Sequence, residues 1–336
     1  MSKVQNCTHP VLRYYGGKWR LSTWIISNFP RHKVYVEPFC GAASVLLRKK
    51  KSRIEVINDR YDRVISLFRV LRDPISAKKL KELLRFSPYS CSEYYLAREK
   101  HEDPIEDARR MLILGQQAHG STGSSGGKLS GWRRGITNEE FSTASSWEKL
   151  WKQIPKWSSR LRSVFIENNE YFEIIYRYDG RDTLFYIDPP YVSTTRNIQV
   201  GYAHEMSNSD HEKLSDILHS IQGKVILSGY DTNLYRKLYA GWFCLSREVL
   251  TDKQGKATEY LWMNFDPDQL SHSARKSMQT GAMQTHQKRT IQTEGQITLA
   301  IRKLRAEEKK VTRTAVAELV GISREQISRR YSHLFL

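Results

Sequence analysis

The stretch Thr183-Leu-Phe-Tyr-Ile187-Asp188-Pro189-Pro190-Tyr191 decides the fold. Thr183 to Ile187 is an apolar run that reads as a core strand. Pro189 and Pro190 end it, because neither has an N–H for the ladder and the ring fixes φ. The carbonyls of Asp188 and Pro189 are then left free at the strand's C-terminal end, where open α/β sheets bind ligands. A carboxylate, a fixed carbonyl and an aromatic face meet at one point. This set suits a planar group carrying an exocyclic NH2. Asp188 and a carbonyl accept the two amine hydrogens, and Tyr191 stacks on the ring. The quartet by itself also fits a surface turn after a core strand.

Strand and helix signals alternate on both sides of this stretch. Val34-Tyr-Val36 and Ile54-Glu-Val-Ile57 read as short strands, and Ala42 to Leu47 as a helix. Tyr61 to Leu71 carries Val64, Ile65, Phe68 and Leu71 at helical spacing. Further strands are expected at Lys224–Ser228 and Glu259–Phe265. Residues 207–222, between the strands at 183–187 and 224–228, read as an amphipathic helix with Leu214, Ile217, Leu218 and Ile221 on one face. The alternation predicts an α/β fold with a parallel sheet. Residues 75–114 read as helical, with Asp73-Pro74 marking a start. Residues 115–135 hold seven glycines among Ser, Lys, Arg and Trp, too many for a core element. A solvent loop and a nucleic-acid contact loop both fit.

Lys and Arg number 54 against 36 Asp and Glu, a net charge of +18. Such an excess points to a polyanionic partner. Eight Trp and eighteen Tyr argue for a packed chain. No apolar run approaches the roughly 20 residues of a membrane span, and the first residues hold no signal-peptide core. The four cysteines form no C-x-x-C pair, so neither a metal site nor a disulfide framework is expected. The expected compartment is a reducing cytoplasm.

Three further segments carry site chemistry. Tyr35-Val-Glu37-Pro-Phe39-Cys40-Gly41-Ala42-Ala43-Ser44 reads as strand, turn and helix start. A helix N-terminus presents unpaired N–H groups, and glycine lets a ligand approach the backbone. Asn58-Asp59 ends the next strand, roughly 20 residues on, where an acid typically grips ribose hydroxyls. The G-x-G-x-x-G series is absent. An acidic ribose clamp without a phosphate cradle suits a nucleoside cofactor, of which S-adenosylmethionine is one. Tyr14-Tyr15-Gly16-Gly17-Lys18 permits a tight backbone approach and offers an ammonium to a carboxylate; it also fits a turn before a helix.

In this order the four segments closely resemble the Dam-like adenine-specific DNA methyltransferases, over roughly residues 11–265. The resemblance implies a Rossmann-like S-adenosylmethionine-dependent methyltransferase fold. Residues 1–71 and 181–265 would form the catalytic domain and 72–180 a helical and loop target-recognition insert. It implies that Tyr14 and Tyr15 pack at the cofactor and that Lys18 approaches its methionine end. Glu37, Phe39 and Gly41 would line the pocket, and Asp59 would bind the ribose. Asp188 would touch both cofactor and target amine. With Pro189, Pro190 and Tyr191 it would form the catalytic quartet, Tyr191 stacking on a flipped base. The family commonly reads Phe-x-Gly-x-Gly, whereas Ala43 replaces the second glycine here, adding a methyl near the cofactor turn.

Double-stranded DNA is the implied partner, and a cognate restriction endonuclease is a candidate second one. Within the insert, Lys128, Arg133 and Arg134 are candidates for phosphates or guanine edges. Gln116 and Gln117 are candidates for adenine. Cytosine methylation at ring carbon needs a Cys nucleophile, typically in a Pro-Cys pair, and none occurs. Methylation of cytosine's exocyclic amine, an RNA substrate and a non-enzymatic DNA-binding regulator are the rival readings.

From Asp266 the composition shifts to Ser, Gln, Thr, Met and His, so 266–290 reads as a linker and 291–336 as a small all-α module. Thr314 to Arg330 fits a helix-turn-helix: Ala317 is small at the crossing, Gly321 makes the turn, and Ser323 and Gln326 have capping-box spacing. Arg324, Ser328 and Arg329 would approach DNA. A helical hairpin used for packing is the alternative.

Overall fold

The computed structural model describes residues 7–127, 130–134, 136–138, 141–192, 201–250, 256–267, 293, 296–305, 307 and 309–335. The chain divides into two units, Met1–Pro267 and Asp268–Leu336. Of the expected linker at 266–290, residues 268–290 lie outside the described residues.

The first unit is built on a seven-stranded sheet. Its strands are β1 (Val34–Glu37), β2 (Ile54–Asn58), β3 (Phe165–Glu167), β4 (Thr183–Ile187), β5 (Lys224–Gly229), β6 (Phe243–Leu250) and β7 (Lys256–Met263). The spatial order is β3-β2-β1-β4-β5-β7-β6. The first five in that row are parallel, and β7 and β6 close the edge as an antiparallel hairpin. This is the mixed α/β, Rossmann-like arrangement expected.

Side chains alternate across each strand. Leu184 and Tyr186 of β4 join one core, with Tyr35, Ile57 and Ile226. Phe185 and Ile187 join the other, with Val36, Val225 and Leu227. A strand covered on both faces needs an unbroken apolar run, and all five residues of β4 are buried.

Residues 75–114 break into three helices, Pro74–Phe86, Cys91–Leu96 and Pro104–Gln117. Asp73 caps the first by accepting from the Ser76 N–H, and Asp103 caps the third by accepting from the Ile105 N–H. Each is followed by a proline, which loses nothing at the first helical position.

The insert boundary needs correction. Residues 72–180 are not one appended body, because Phe165–Glu167 pairs in parallel with β2 and belongs to the catalytic sheet. The insert helices also share the first core, through Leu80, Met111, Ile113, Trp157 and Leu161.

The second unit is helical. Residues 296–305 are helical, followed by the helices Arg313–Val320 and Arg324–Arg330. Ile297, Ile301, Leu304, Val316, Ala317, Ile327 and Tyr331 form its core.

Candidate active site

The strand order reverses between β1 and β4. β1 leads outward to β2 and β3, and β4 leads the other way. The crevice at their C-terminal ends is the position where such sheets bind ligands. Glu37 ends β1 and Asp188 follows β4, so strand pairing sets two carboxylates on either side of it.

Asp188 sits in a charge cluster. The Lys18 ammonium lies 2.8 Å from its Oδ1, donates to the Gly16 carbonyl at 2.8 Å, and lies 3.8 Å from Glu259 Oε1. Lys18 and Glu259 are both buried. Burial opposes the lysine charge, but the Asp188 and Glu259 carboxylates outweigh it and raise the Lys18 pKa above its ordinary value. Burial pushes the Asp188 carboxyl up to about 6, against the pull of Lys18. Tyr191 donates its hydroxyl to Glu259 Oε1. Lys18 stands over the Tyr191 ring, 4.7 Å from its centroid, and Tyr230 packs edge-on to that ring at 4.8 Å. Tyr191 is 8% exposed and does not line the cavity described below.

The β1 side is held mainly by backbone N–H donors instead. Glu37 Oε1 accepts from the Tyr35 hydroxyl at 2.6 Å and the Leu46 N–H at 2.7 Å. Burial nevertheless pushes the Glu37 carboxyl up to about 7. Asp59 accepts from the Gly41 N–H at 2.8 Å and the Tyr61 N–H at 2.9 Å, which ties the β2 end to the β1 turn. Its pKa is raised by burial, with those two donors opposing. Gly41 has φ +44°, and a Cβ there would stand 2.9 Å from the Tyr14 ring, so only glycine fits.

Ala43 is the only non-glycine with positive φ among the described residues, at 49°. It takes the left-handed conformation that the family's glycine would favour. Its methyl is buried in the core, and Ala43 is not among the residues lining the cavity.

These elements enclose a cavity of about 300 Å3. Tyr14, Tyr15, Lys18, Glu37, Phe39, Gly41, Asp59, Asp188 and Pro190 all line it, so the expected cofactor residues converge. Several others carry no role in the sequence reading. Tyr171 stacks on Phe39 with centroids 5.1 Å apart. Asn58 donates to the carbonyls of Pro38 and Asn169, joining the ends of β1, β2 and β3 around the floor. Tyr202 donates to the Tyr15 carbonyl at 3.2 Å and covers one side. The buried Glu259, which binds Tyr191 and Lys18, reads in the sequence only as the start of an expected strand. An acid inside Thr258-Glu259-Tyr260-Leu261-Trp262 was the available signal.

The glycine-rich loop divides in two. Its first half is packed: the Ala203 N–H donates to the Ser125 carbonyl, and a Cβ on Gly127 would stand 1.6 Å from the Gly201 oxygen. Gly123 and Gly127 thus serve close backbone approach, whereas Gly120 and Gly126 are exposed. The second half is more open, with Arg133 half-buried and Arg134 exposed near the Trp132 ring. Gln116 is half-buried on its helix. Gln117 is fully buried, accepting from Trp132 Nε1 and the Ser90 N–H and donating to the Pro88 carbonyl, so it does not read a base. Lys128 lies outside the described residues, as does the Arg329 side chain. Arg324 is exposed and Ser328 half-buried in the second unit. Among the described residues no cluster of His, Cys, Asp and Glu could hold a metal ion, and no helix is long and apolar enough to cross a membrane.

A Rossmann-like sheet with an acidic, nucleoside-sized cavity at its switch point and Asp-Pro-Pro-Tyr on its rim defines a methyltransferase acting on an exocyclic amine. The chain belongs to the D12 class N6 adenine-specific DNA methyltransferases, whose family model matches residues 14–254. It is 28% identical over 240 residues to a DNA adenine methylase of Escherichia coli strain K12, covering 68% of this chain and 83% of that one. Similarity to a DNA adenine methylase of Salmonella typhi is 27% over 238 residues, with the same coverage. The type II methyltransferase M.MjaIII of Methanocaldococcus jannaschii is 23% identical over 265 residues, 69% of this chain and 88% of that protein. The reaction is therefore methylation of adenine N6 in DNA.

Proposed function

We propose that this chain transfers the methyl of S-adenosylmethionine to a flipped adenine of a specific duplex site, with Asp188 as the group that grips the target amine. The observation that carries this reading is the placement of Asp188: on the cavity wall, at the switch point, beside a buried lysine.

The residues present fit the cofactor. Its sulfonium and ammonium groups are cationic, and Glu37, Asp59 and Asp188 make the cavity acidic. Its adenine suits the aromatic end made by Phe39 and Tyr171. The cradle at Gly41, which a Cβ would fill, admits close backbone contact. When bound, the cofactor supplies an electrophilic methyl and a thioether leaving group.

The chain's own residues do the rest. The adenine amine is a poor nucleophile because its lone pair is delocalised into the ring. Asp188 and the Pro189 carbonyl accept hydrogen bonds from its two N–H groups and favour a more tetrahedral nitrogen, freeing the lone pair for in-line attack; the proton that the methylated nitrogen then sheds leaves by way of Asp188 to solvent. Lys18 holds Asp188 ionised near neutral pH, a different role from meeting the cofactor's methionine end. Position and fixed charge supply most of the rate. Extruding the base costs a few kcal/mol, offset by stacking on Tyr191. Because that ring is 8% exposed, a stacked base displaces part of what covers it. Arg133, Arg134 and Gln116 are the insert's candidates for DNA contact. The place of work is the cytoplasm. The relatives lend no support to a restriction endonuclease partner, and none is proposed.

The test is methyl transfer from labelled S-adenosylmethionine to unmethylated duplex DNA, with nucleoside analysis. N6-methyladenine that disappears in Asp188→Ala is expected. Label in another nucleoside would overturn the target, and full activity in Asp188→Ala would overturn the role of Asp188.

A further inference from the structure

The residues lining the cavity just described all belong to the first unit, and the family match ends at residue 254, before the second unit begins. Its geometry is nevertheless specific. Thr312 caps Arg313–Val320 by accepting from the Ala315 N–H. The helix ends on Gly321, which has φ +72°. Nothing lies within 4 Å of a Cβ built on Gly321, so backbone conformation, not crowding, demands glycine there. The Gly321 and Ile322 N–H groups both return to the Ala317 carbonyl, which closes the turn tightly. Ser323 and Gln326 then cap Arg324–Arg330 reciprocally. Val316, Ala317 and Ile327 are buried between these helices and residues 296–305. Two short helices across a three-residue turn containing glycine, braced by a third, is the helix-turn-helix arrangement.

The outward residues of the second helix have the chemistry of base recognition. Ser323, Arg324 and Glu325 are exposed at its start, and Ser328 is half-buried one turn on. Arg pairs with the guanine O6/N7 edge, Glu accepts from cytosine N4, and Ser contacts either. Residues 291–336 carry nine Lys and Arg against five Asp and Glu, which suits a phosphate backbone.

We propose that this unit is a second DNA-reading site, which places Arg324–Arg330 in the major groove of a duplex. It reads an element containing G·C pairs, separate from the site that is methylated. The binding needs neither cofactor nor Asp188 and is therefore independent of the methyl-transfer reading.

The experiment is selection of bound sequences from a random duplex pool by the full chain. The wild type is expected to enrich a second element in addition to the methylation site, and Asp188→Ala to enrich that element equally. Arg324→Ala with Ser328→Ala loses the element and binds a duplex carrying it about tenfold more weakly or worse. Methyl transfer to a short duplex without the element is unchanged in this variant. Arg324→Lys keeps the charge but not the planar fork, so it loses the element while keeping non-specific affinity. It also guards against misfolding of the double variant. Enrichment of a single element by the wild type would overturn the proposal. So would a second element that survives the double variant and Arg324→Lys. A double variant that alters only self-association would assign the face to a second copy of the chain instead.

Discussion

The two strand ends that face each other across the cavity are held by different physics. At the end of β4, position comes from charge: Asp188, Lys18, Glu259 and the Tyr191 hydroxyl form one buried cluster drawn from three separate parts of the chain. At the end of β1, position comes from backbone: Gly41 and Ala43 in left-handed conformation, and a carboxylate from β2 pinning the Gly41 N–H. A charge cluster responds to pH and to loss of one member. A backbone turn responds to the volume and φ of a single residue. The β4 side should therefore govern rate and the β1 side cofactor retention.

The sharpest break of this contrast is Asp188→Asn. The side chain keeps its size but loses the charge that favours the tetrahedral amine and presents an NH2 to another NH2. The turnover number is expected to fall by about 100-fold to 1,000-fold or more, the scale of removing one preorganised group, while S-adenosylmethionine affinity changes far less. An equal loss in binding and turnover, read by calorimetry and single-turnover kinetics, would put Asp188 on the cofactor side only.

Lys18→Met tests the cluster from its other pole. It leaves Asp188 and Glu259 buried without their cation, a type of change that costs about 3–5 kcal/mol when the pair is fully enclosed. The cost here should fall at or below the lower end, because the Asp188 side chain keeps 17% exposure. Burial and the neighbouring Glu259 carboxylate then hold the Asp188 pKa up without the opposing pull of Lys18, so the acidic limb of the rate profile moves to higher pH. An unmoved limb would mean that Lys18 does not control Asp188.

The difference between the two ends also explains what could be read before folding. Asp-Pro-Pro-Tyr is local: a strand, two residues that end it, and the side chains it releases all lie within nine positions. The Gly41 turn is equally local. Glu259 was not legible as a partner of Tyr191, because that contact depends on β7 inserting antiparallel beside β5, which pairs Gly229 with Tyr260. β3 has three residues and an exposed Phe165, too little to distinguish a sheet edge from a loop. The glycines at 123–127 look the same in composition whether they face solvent or another backbone. Only the approach of Gly201 to Gly127 decides between them.

Cofactor affinity should depend on pH chiefly through Glu37 at the β1 end, with a smaller share from Asp188. Glu37, pushed up to about 7, and Asp188, at about 6, are partly or largely protonated below those values. A cationic ligand prefers both ionised, so binding expels protons and tightens as pH rises from about 5.5 to 8. Between pH 8 and pH 6 the affinity should fall on the order of tenfold, by the usual one decade per titrating group per unit. The unliganded protein should behave in the opposite sense. Its native carboxylates hold protons that the unfolded chain has released, so stability from these two groups declines as pH rises through 4 to 7. Titrations and thermal melts across the same pH range check both signs; a pH-independent affinity would remove Glu37 and Asp188 from contact with the cofactor's charge.

The smallest effect is expected at Ala43. Three contributions of similar size compete in Ala43→Gly. Left-handed backbone costs a non-glycine residue about 1–2 kcal/mol, which glycine recovers. Glycine gives back about 0.4–1 kcal/mol through the freer unfolded chain, and the lost burial of one methyl costs about 0.8 kcal/mol. The sum is near zero, so stability should change by less than about 1 kcal/mol in denaturant melts. Cofactor affinity should not change, because the methyl lies in the core and Ala43 does not line the cavity. Gly41→Ala, two residues away, places a Cβ 2.9 Å from the Tyr14 ring at a left-handed φ and should weaken cofactor binding clearly. If Ala43→Gly instead tightened binding severalfold, the turn would be straining the cofactor site through its backbone, and departure from the family's second glycine would carry a functional cost.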